Sequence, residues 1–406
     1  MIEINKCCRI CKSSNLTEVI HLGKQALTGV FVKDGSSVEK FNMSLSICDD
    51  CGLVQINEVY DLDLLYGDGY GYESSLNSSM IEHLKAKAEK HIKDLNIKKN
   101  DVIIDIGSND ATTLSFFDEE CVRIGVDFTG SKFKEKYEKI GAILVPHFFP
   151  PPTLDEVLNS GKAKLISSYS CFYDLPDPVN FAKKVHDCLA DDGIWCLEQS
   201  YMPSMLETNS FDTICHEHIE YYKLQDIKNI CDKANLELKD VSFNNINGGS
   251  FSVNVGHKNG IIAQKNICQE ILNEENKIDW REEYINFNNR INEIGDRLVK
   301  KLTTLKNQGK RVAGIGSSTK GNVLLQYYGI DSNLIDSIGE VNPNKYGCST
   351  PGSNIPIVSE KDLLDSNPDY LLVLPWHFKD FFMSNIAFSG HNIIFPLPDI
   401  DVIERK

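Results

Sequence analysis

The segment "DVIIDIGSND" constrains this chain more than any other. An apolar, β-branched run that stops on a glycine reads as a buried strand ending in a sharp turn. Strand and helix patterns alternate downstream of it: "CVRIGVDF", "AKLISSYS", "DPVNFAKKVHDCLA" and "GIWCLEQS". Such alternation implies a parallel sheet covered by helices. A second α/β pattern starts at "RVAGIGSSTKGNVLLQYYGI" and includes "YLLVLPWHF" and "NIIFPLP" as strands. Between the two, residues 263 to 308 read as helical. There Tyr284, Phe287, Ile291, Ile294, Leu298, Leu302 and Leu305 form one apolar stripe. A further helix precedes the first strand, with Ser79 and Glu82 fitting a capping box and Ile81, Leu84, Ala88, Ile92 and Leu95 at helical spacing. At 406 residues the chain is too long for one ordinary core.

Bulk properties narrow the partners. A formal net charge of −16 argues against nonspecific nucleic-acid binding, which needs Lys and Arg to displace counterions. No apolar run reaches bilayer length, and "MIEINKCCRICKSS" lacks a signal-peptide apolar region. The expectation is a cytoplasmic protein with no membrane contact, acting as a monomer or homodimer.

The chain has 13 cysteines. Without a secretion signal, thiols or metal ligands are the better reading than disulfides. Cys8 with Cys11, and Cys48 with Cys51, form two CxxC pairs, enough for a tetrahedral four-sulfur zinc site that is coordinatively closed and therefore structural. Cys7 stands beside the first pair and leaves the ligand set open at this point. Cys171, Cys188 and Cys196 lie in apolar contexts and read as core thiols.

Asp105, Gly107, Ser108, Asn109 and Asp110 sit at the end of the first α/β strand, where ligands bind in such sheets. The dinucleotide fingerprint GxGxxG, whose later glycines cradle pyrophosphate, is absent. One glycine with neighbouring acids suits S-adenosylmethionine, a ligand with an amino-acid tail and no pyrophosphate. Asp127, followed by Phe128, ends the second strand about twenty residues on, where an acid holds ribose hydroxyls.

"FDTICHEHIEYY" gathers His216, Glu217, His218, Glu220, Tyr221 and Tyr222. Neutral imidazole is a proton acceptor near neutral pH, an adjacent carboxylate orients it, and Tyr donates to a developing oxyanion. The spacing is not HExxH, so a catalytic metal is not indicated. In the last α/β pattern, Gly314, Gly316, Lys320 and Asn322 come after a strand, an arrangement that fits phosphate at a helix N-terminus.

With these motifs the chain resembles the deoxysugar C-methyltransferases, which add methyl to a carbon of nucleotide-linked 4-keto-sugars. The resemblance runs nearly end to end, through the paired CxxC module, "YGYES", "DIGSND", "LPDP", "FDTICHEHIEYY", "NGGS" and the C-terminal "GIGSSTKGN" and "TPG" segments. It implies an α/β fold with a zinc module at 1–70 and a class I S-adenosylmethionine-dependent methyltransferase domain at 71–258. Connecting helices at 259–308 and a Rossmann-like nucleotide-sugar-binding domain at 309–406 would complete the chain. It also implies that His218 removes the proton beside the keto group and that the enolate carbon attacks the sulfonium methyl. Glu217, His216 and Tyr222 would assist, and Tyr70, Tyr72, Asn247, Gly248, Lys320 and Asn322 would lie near the sugar nucleotide. Three positions depart from the family pattern: Cys215 stands where Tyr is frequent, Asp174 where His is frequent, and Ala111 where Gly is usual. The first two leave the sugar and the methylated atom open. The alternatives are sugar-nucleotide O-methylation and a catalytically inactive sugar-nucleotide-binding relative. A nicotinamide-dependent oxidoreductase is least favoured, because neither α/β half carries GxGxxG.

Overall fold

The computed structural model describes residues 3–33, 38–60, 73–153 and 161–405. Three larger sheets organise them, beside a two-stranded pairing of Glu3–Ile4 with Glu58–Val59. The N-terminal module pairs β1 (Leu16–Ala26), β2 (Lys40–Cys48) and β3 (Val54–Ile56) antiparallel, in line with the strand-like runs around its two cysteine pairs. The turn between β2 and β3 carries Cys48 and Cys51.

The central domain opens with α1 (Ser78–Leu95), which buries Leu84, Ala88 and His91. Its cap differs from the expected Ser79–Glu82 box. Asn77 is the N-cap, and its side-chain oxygen accepts from the Ser79 amide at 3.0 Å. Asn serves as well as Ser there, so the signal lay two residues upstream. Then come β4 (Val102–Ile106), β5 (Val122–Val126), α2 (Lys134–Ile140), β6 (Ile143–Val145), β7 (Ala163–Tyr169), α3 (Pro178–Cys188), β8 (Leu189–Ser200) and α4 (Met202–Glu207). A two-residue strand, β9 (Glu220–Tyr221), precedes α5 (Leu224–Lys233), β10 (Leu236–Asn244) and β11 (Ser250–His257).

The central sheet runs β10-β11-β8-β7-β4-β5-β6. Strands β4 to β8 are mutually parallel, and β11 lies antiparallel between β8 and β10. The carboxyl ends of β4, β5, β7 and β8 therefore share one edge, and the chain order reverses at β4, where such sheets bind ligands. Strand β9 leaves this sheet and pairs antiparallel with β3 of the N-terminal module instead.

Two helices connect this domain to the last one, α6 (Asn266–Glu275) and α7 (Trp280–Asn307). At 28 residues α7 is about 42 Å long. Asp279 caps it by accepting from the Arg281 and Glu282 amides at 3.1 and 3.2 Å. All seven residues of the expected stripe are buried. They join a core shared by β1 to β3, the segment 202–215 and the C-terminal domain. Polar contacts tie α7 to each part: Asn288 donates to the Val19 carbonyl, Arg290 to the Leu206 carbonyl at 2.9 Å, and Arg297 pairs with Asp399.

The C-terminal domain holds β12 (Val312–Ile315), α8 (Thr319–Tyr327), β13 (Ile338–Glu340), β14 (Ile357–Ser359), α9 (Glu360–Asp365), β15 (Tyr370–Val373), α10 (Lys379–Ser384), β16 (Asn392–Phe395) and β17 (Asp401–Ile403). Its sheet order is β14-β13-β12-β15-β16-β17, with only β17 antiparallel. This second switch point lies between β12 and β15. Among the described residues no helix is long and apolar enough to cross a membrane.

Because α7 is common ground for three domains, cutting its stripe acts on all of them. Leu298 is fully buried. Leu298→Ala leaves a cavity and lowers stability by about 3 kcal/mol, readable as a drop in the urea midpoint.

Candidate active site

The metal site comes first in the chain. The Sγ atoms of Cys8, Cys11, Cys48 and Cys51 all lie within 4.8 Å of one another. Cys8 and Cys51 approach to 3.4 Å, and Cys11 and Cys48 to 3.5 Å. Four sulfurs about 2.3 Å from a tetrahedral zinc stand about 3.8 Å apart, so the set fits the ion without rearrangement. Crowding splits the thiols: the bond from Cys51 pulls the Cys8 pKa down to about 5, while that bond and burial push Cys51 up. A dication resolves this by replacing the shared protons. Cys7 lies outside the group, which settles the ligand set left open by the sequence.

The turn after β4 is the second element. Gly107 has φ +71, and a Cβ placed there would lie 2.9 Å from both Cβ and Sγ of Cys171. The backbone is thus held in a conformation that only glycine fills without collision. Asn109 and Ala111 also take positive φ, +47 and +64. Asp127, at the end of β5, accepts the Asn109 amide on one oxygen at 2.7 Å. Its other oxygen accepts the Thr129 amide at 2.6 Å and hydroxyl at 2.7 Å. The carboxylate is thereby oriented, with lone pairs left for a diol. Beside it, Phe128 and Phe148 stack at 4.4 Å and are both exposed, an apolar surface suited to a purine. Cradle, oriented acid and aromatic surface together fit S-adenosylmethionine.

The remaining residues of this turn hold its shape. Asp105 is buried, accepts from Ser167 at 2.5 Å, and is pushed up to about 7 by burial. Ser108 bonds the Tyr137 hydroxyl at 2.6 Å. Asp110 accepts the Ser75 amide at 3.1 Å and the Lys136 ammonium at 3.0 Å. Cys188 and Cys196 are core thiols as expected, but Cys171 is only half-buried and donates to the Ile106 carbonyl at 3.3 Å. It belongs to the wall of the cofactor turn, because the strand β7 has ended before it.

The third element is the imidazole of His218. Its Nδ1 lies 2.9 Å from the Thr213 carbonyl. A carbonyl only accepts, so Nδ1 carries the hydrogen and Nε2 is the bare, basic nitrogen. Burial holds the pKa down to about 4 against the raising effect of that carbonyl, and Lys320 assists the lowering. The ring is therefore neutral at physiological pH. It packs on Tyr173, centroids 4.2 Å apart. A small cavity adjoins it, lined by Tyr173, Ser200, Thr213, Glu220 and Tyr221 with Met202 and Met205.

Other sequence candidates fall elsewhere. His216 is wholly buried, has no partner on either ring nitrogen, and meets Tyr60 and Phe41 edge-on. Burial drives its pKa to about 3, so it is a neutral packing residue facing the zinc module. Glu217 was expected beside the base. It turns instead toward Gly29 of the module, 3.8 Å from that residue's notional Cβ, because His216 and Glu217 form a turn closed by the His218 amide donating to the Cys215 carbonyl at 3.2 Å. The Thr213 carbonyl does the orienting. Tyr222 is fully buried and stacks on Phe172 at 5.5 Å, while its neighbour Tyr221 faces the cavity. The strand alternation at β9 was the signal that could have made this choice. Cys215 is buried, with its thiol pushed up by burial; Asp174 is half-buried. Tyr70 and Tyr72 lie outside the described residues.

The C-terminal domain closes the site from the other side. Lys320 donates to the Asn247 carbonyl. The notional Cβ of Gly248 lies 3.7 Å from the Lys320 ammonium and 3.6 Å from the Trp376 ring. Trp376 donates to Asp212 at 2.8 Å across the domain joint. The other Asp212 oxygen is buried without a hydrogen-bond partner. Trp376 stands in "PWHF" near a strand end, as the sequence suggests, whereas Asp212 and Tyr173 were not identified from sequence as site residues, since nothing local marks them. Asn322 does not face substrate: it is wholly buried and donates to the Thr28 carbonyl at 2.7 Å, tying α8 to the zinc module.

Comparison with known proteins matches three family models along the chain. Residues 8–66 match a zinc-binding domain, 80–241 a methyltransferase domain, and 245–398 the C-methyltransferase C-terminal domain. C-methyltransferase NovU of Streptomyces niveus is 28% identical over 98% of this chain and 97% of its own length. Among solved structures, a S-adenosylmethionine-dependent methyltransferase of Clostridium acetobutylicum is 11% identical, with 48% of this chain and 95% of its own covered at a TM-score of 0.35. One of Aquifex aeolicus is 15% identical, covering 46% and 98%, at 0.34. Those two likenesses carry no weight beside the family models.

Gly107→Val drives a branched side chain into Cys171. S-adenosylmethionine affinity then falls at least about tenfold by titration calorimetry, equivalent to about 1.4 kcal/mol. Unchanged affinity would remove this turn from the cofactor site. Cys11→Ser leaves three sulfurs, and metal analysis then finds less than one zinc per chain.

Proposed function

We propose that this chain, whose residues match a zinc-binding domain, a methyltransferase domain and a C-methyltransferase C-terminal domain, methylates a carbon of a nucleotide-linked keto-deoxysugar. One observation carries this reading. The His218 imidazole is held in the tautomer with a bare Nε2, and it lines a small cavity together with Tyr173 and Tyr221.

The chemistry asks for three things: a base, a stabilised oxyanion and a methyl donor held in line. His218 Nε2 takes the proton from the carbon next to the keto group. The electron pair left behind delocalises onto the keto oxygen as an enolate. Tyr173 and Tyr221, both facing the cavity, are the hydroxyls available to that oxygen. When bound, S-adenosylmethionine supplies an electrophilic methyl carbon on a positively charged sulfur. That methyl group would pass to the enolate carbon, the C–S electron pair staying on sulfur as a neutral thioether. Gly107 and Asp127 would hold the donor, and the Met202 and Met205 side chains lining the cavity would help to keep water out.

The nucleotide half is assigned to the joint between the central and C-terminal domains. There Lys320 and the start of α8, capped by Ser318 at 3.1 Å from the Gly321 amide, offer charge and backbone donors for a diphosphate. The curated relative NovU acts as a C-methyltransferase, which favours carbon over oxygen as the atom attacked.

His218→Asn removes the base and lowers methyl transfer by about 10²–10⁴-fold, while calorimetry finds S-adenosylmethionine bound as before. A neutral base whose pKa burial holds near 4 is protonated only in acid. The acid limb of kcat/KM therefore falls away near pH 4 rather than at the ordinary histidine value. Incubated with a thymidine-diphosphate 4-keto-6-deoxysugar in D2O without methyl donor, the enzyme exchanges the hydrogen beside the keto group. An O-methyltransferase leaves that hydrogen in place, so methyl transfer without exchange would overturn the carbon reading.

A further inference from the structure

The residues just after His218 do not rest on the central sheet. Strand β9 pairs with β3 of the zinc module, Glu220 opposite Gln55 and Tyr221 opposite Val54. The Ile56 amide donates to the Ile219 carbonyl at 2.9 Å, one residue from the imidazole. On the other side of that segment, the Ile219 amide donates to the Tyr173 carbonyl at 2.9 Å.

Both cysteine knuckles send a side chain or a carbonyl into this segment. Arg9 lies inside the first knuckle, between Cys8 and Cys11. Its guanidinium donates to the Ile56 carbonyl and sits 3.6 Å from the Glu220 carboxylate, with the two side chains 1% and 0% exposed. The Arg9 amide donates to Gln55 at 2.9 Å, and Gln55 donates back to the Cys7 carbonyl at 3.2 Å. Gly52 directly adjoins Cys51 of the second knuckle. Its carbonyl accepts from Lys223 at 2.6 Å, and Lys223 is itself paired with Asp226 at 2.9 Å. The knuckles thus grip positions 219, 220 and 223, immediately after the imidazole.

We infer that the zinc module is the positioning device for the catalytic imidazole, with Arg9 and Glu220 as the buried clamp that carries the force. The inference rests on His218 being the base. Burial pushes the Glu220 carboxyl well above its ordinary range while Arg9 draws it back, so removing Arg9 leaves that carboxyl buried without its cation. Glu220 also lines the cavity next to His218, so its displacement is felt at the imidazole. The four sulfurs fix the Arg9 turn against the β2–β3 turn. Strand β3 then fixes the register of β9, and β9 fixes where the ring stands relative to Thr213. A closed metal site remote from the chemistry would in this way set the geometry on which proton transfer depends, where a misplacement of about 1 Å lowers rate about 100-fold.

The experiment reads the imidazole directly. Full-length protein with nitrogen-15 histidine shows His218 in NMR, assigned by loss of its signal in His218→Asn. In the wild type one tautomer is present, with Nδ1 protonated and Nε2 bare. Arg9→Met, and the isosteric Glu220→Gln as a second variant should the first not fold, convert that signal to a mixture of tautomers. Zinc content stays at one per chain, and S-adenosylmethionine affinity stays within about twofold. A variant that keeps the single tautomer overturns the clamp. So does one that loses zinc or the methyl donor along with it, because Arg9 and Glu220 would then serve the fold at large. The two readings separate cleanly. A wild type with one tautomer and no hydrogen exchange at the sugar carbon refutes His218 as base while leaving the tautomer measurement intact.

Discussion

The hydrogen bond from His218 Nδ1 to the Thr213 carbonyl governs the rest of the site. Imidazole is ambiguous by nature, since either nitrogen can carry the proton, and a base works only if the bare one faces the substrate. A carboxylate partner would hold the proton as well, but it would also raise the pKa and invite a charged ring. A backbone carbonyl fixes the tautomer at less electrostatic gain, so burial keeps the ring neutral. Thr213 owes its position to a short helical turn, Phe211–Thr213, packed between α8 and α7. Tyr327 and Tyr328 at the end of α8 hold Phe211 at 5.1 and 5.0 Å. The tautomer is therefore set by packing from a domain that contributes no proton acceptor of its own.

Much of this was legible in the sequence. The paired CxxC motif marks the metal ligands, and the structure places those four sulfurs together without Cys7. The strand ending at Gly107 and the acid at Asp127 mark the cofactor turn, because a positive φ and a Cβ position blocked by Cys171 leave glycine no substitute. The α7 stripe was readable in full, since a single amphipathic period runs without interruption over 28 residues. What sequence could not resolve was direction within short segments. In "HEHIEYY" His216 and Glu217 form a turn, after which His218, Glu220 and Tyr221 line the cavity while His216 and Tyr222 are packed into cores elsewhere. Nothing local distinguishes the two sets until β9 is known to pair with β3. The bond between Asp212 and Trp376 was hidden for a different reason: it joins positions far apart in the chain, and only the meeting of two domains creates it.

The departures from the family pattern acquire physical content once placed. Ala111 has φ +64, in the region that favours glycine, where a Cβ crowds the following carbonyl by roughly 1–2 kcal/mol. The turn tolerates it because Ala111 is buried in a small apolar cluster with Leu114 and Ile103, so the methyl group recovers part of that strain by packing. Cys215 and Asp174 act differently. A thiol is smaller than a phenol and donates weakly, and a carboxylate cannot act as the neutral acceptor that imidazole provides. Neither residue lines the cavity beside His218, and burial keeps the Cys215 thiol protonated near Lys320.

The two α/β sheets meet with their carboxyl edges toward one another, and this explains why a methyltransferase domain of ordinary topology carries so much additional chain. In the proposed reaction an enolate would be exposed to protonation by water, so the segment that lines the cavity must be held closed. Two other parts of the chain brace that segment. Strand β3 of the zinc module pairs with β9, and Trp376 of the C-terminal domain donates to Asp212 at 2.8 Å. Each contact comes from an element held rigid by its own means, four sulfurs in one case and a six-stranded sheet in the other. Precision at a reacting carbon thereby comes from two independent anchors converging on the short segment between Asp212 and Tyr221, rather than from the stiffness of that segment itself.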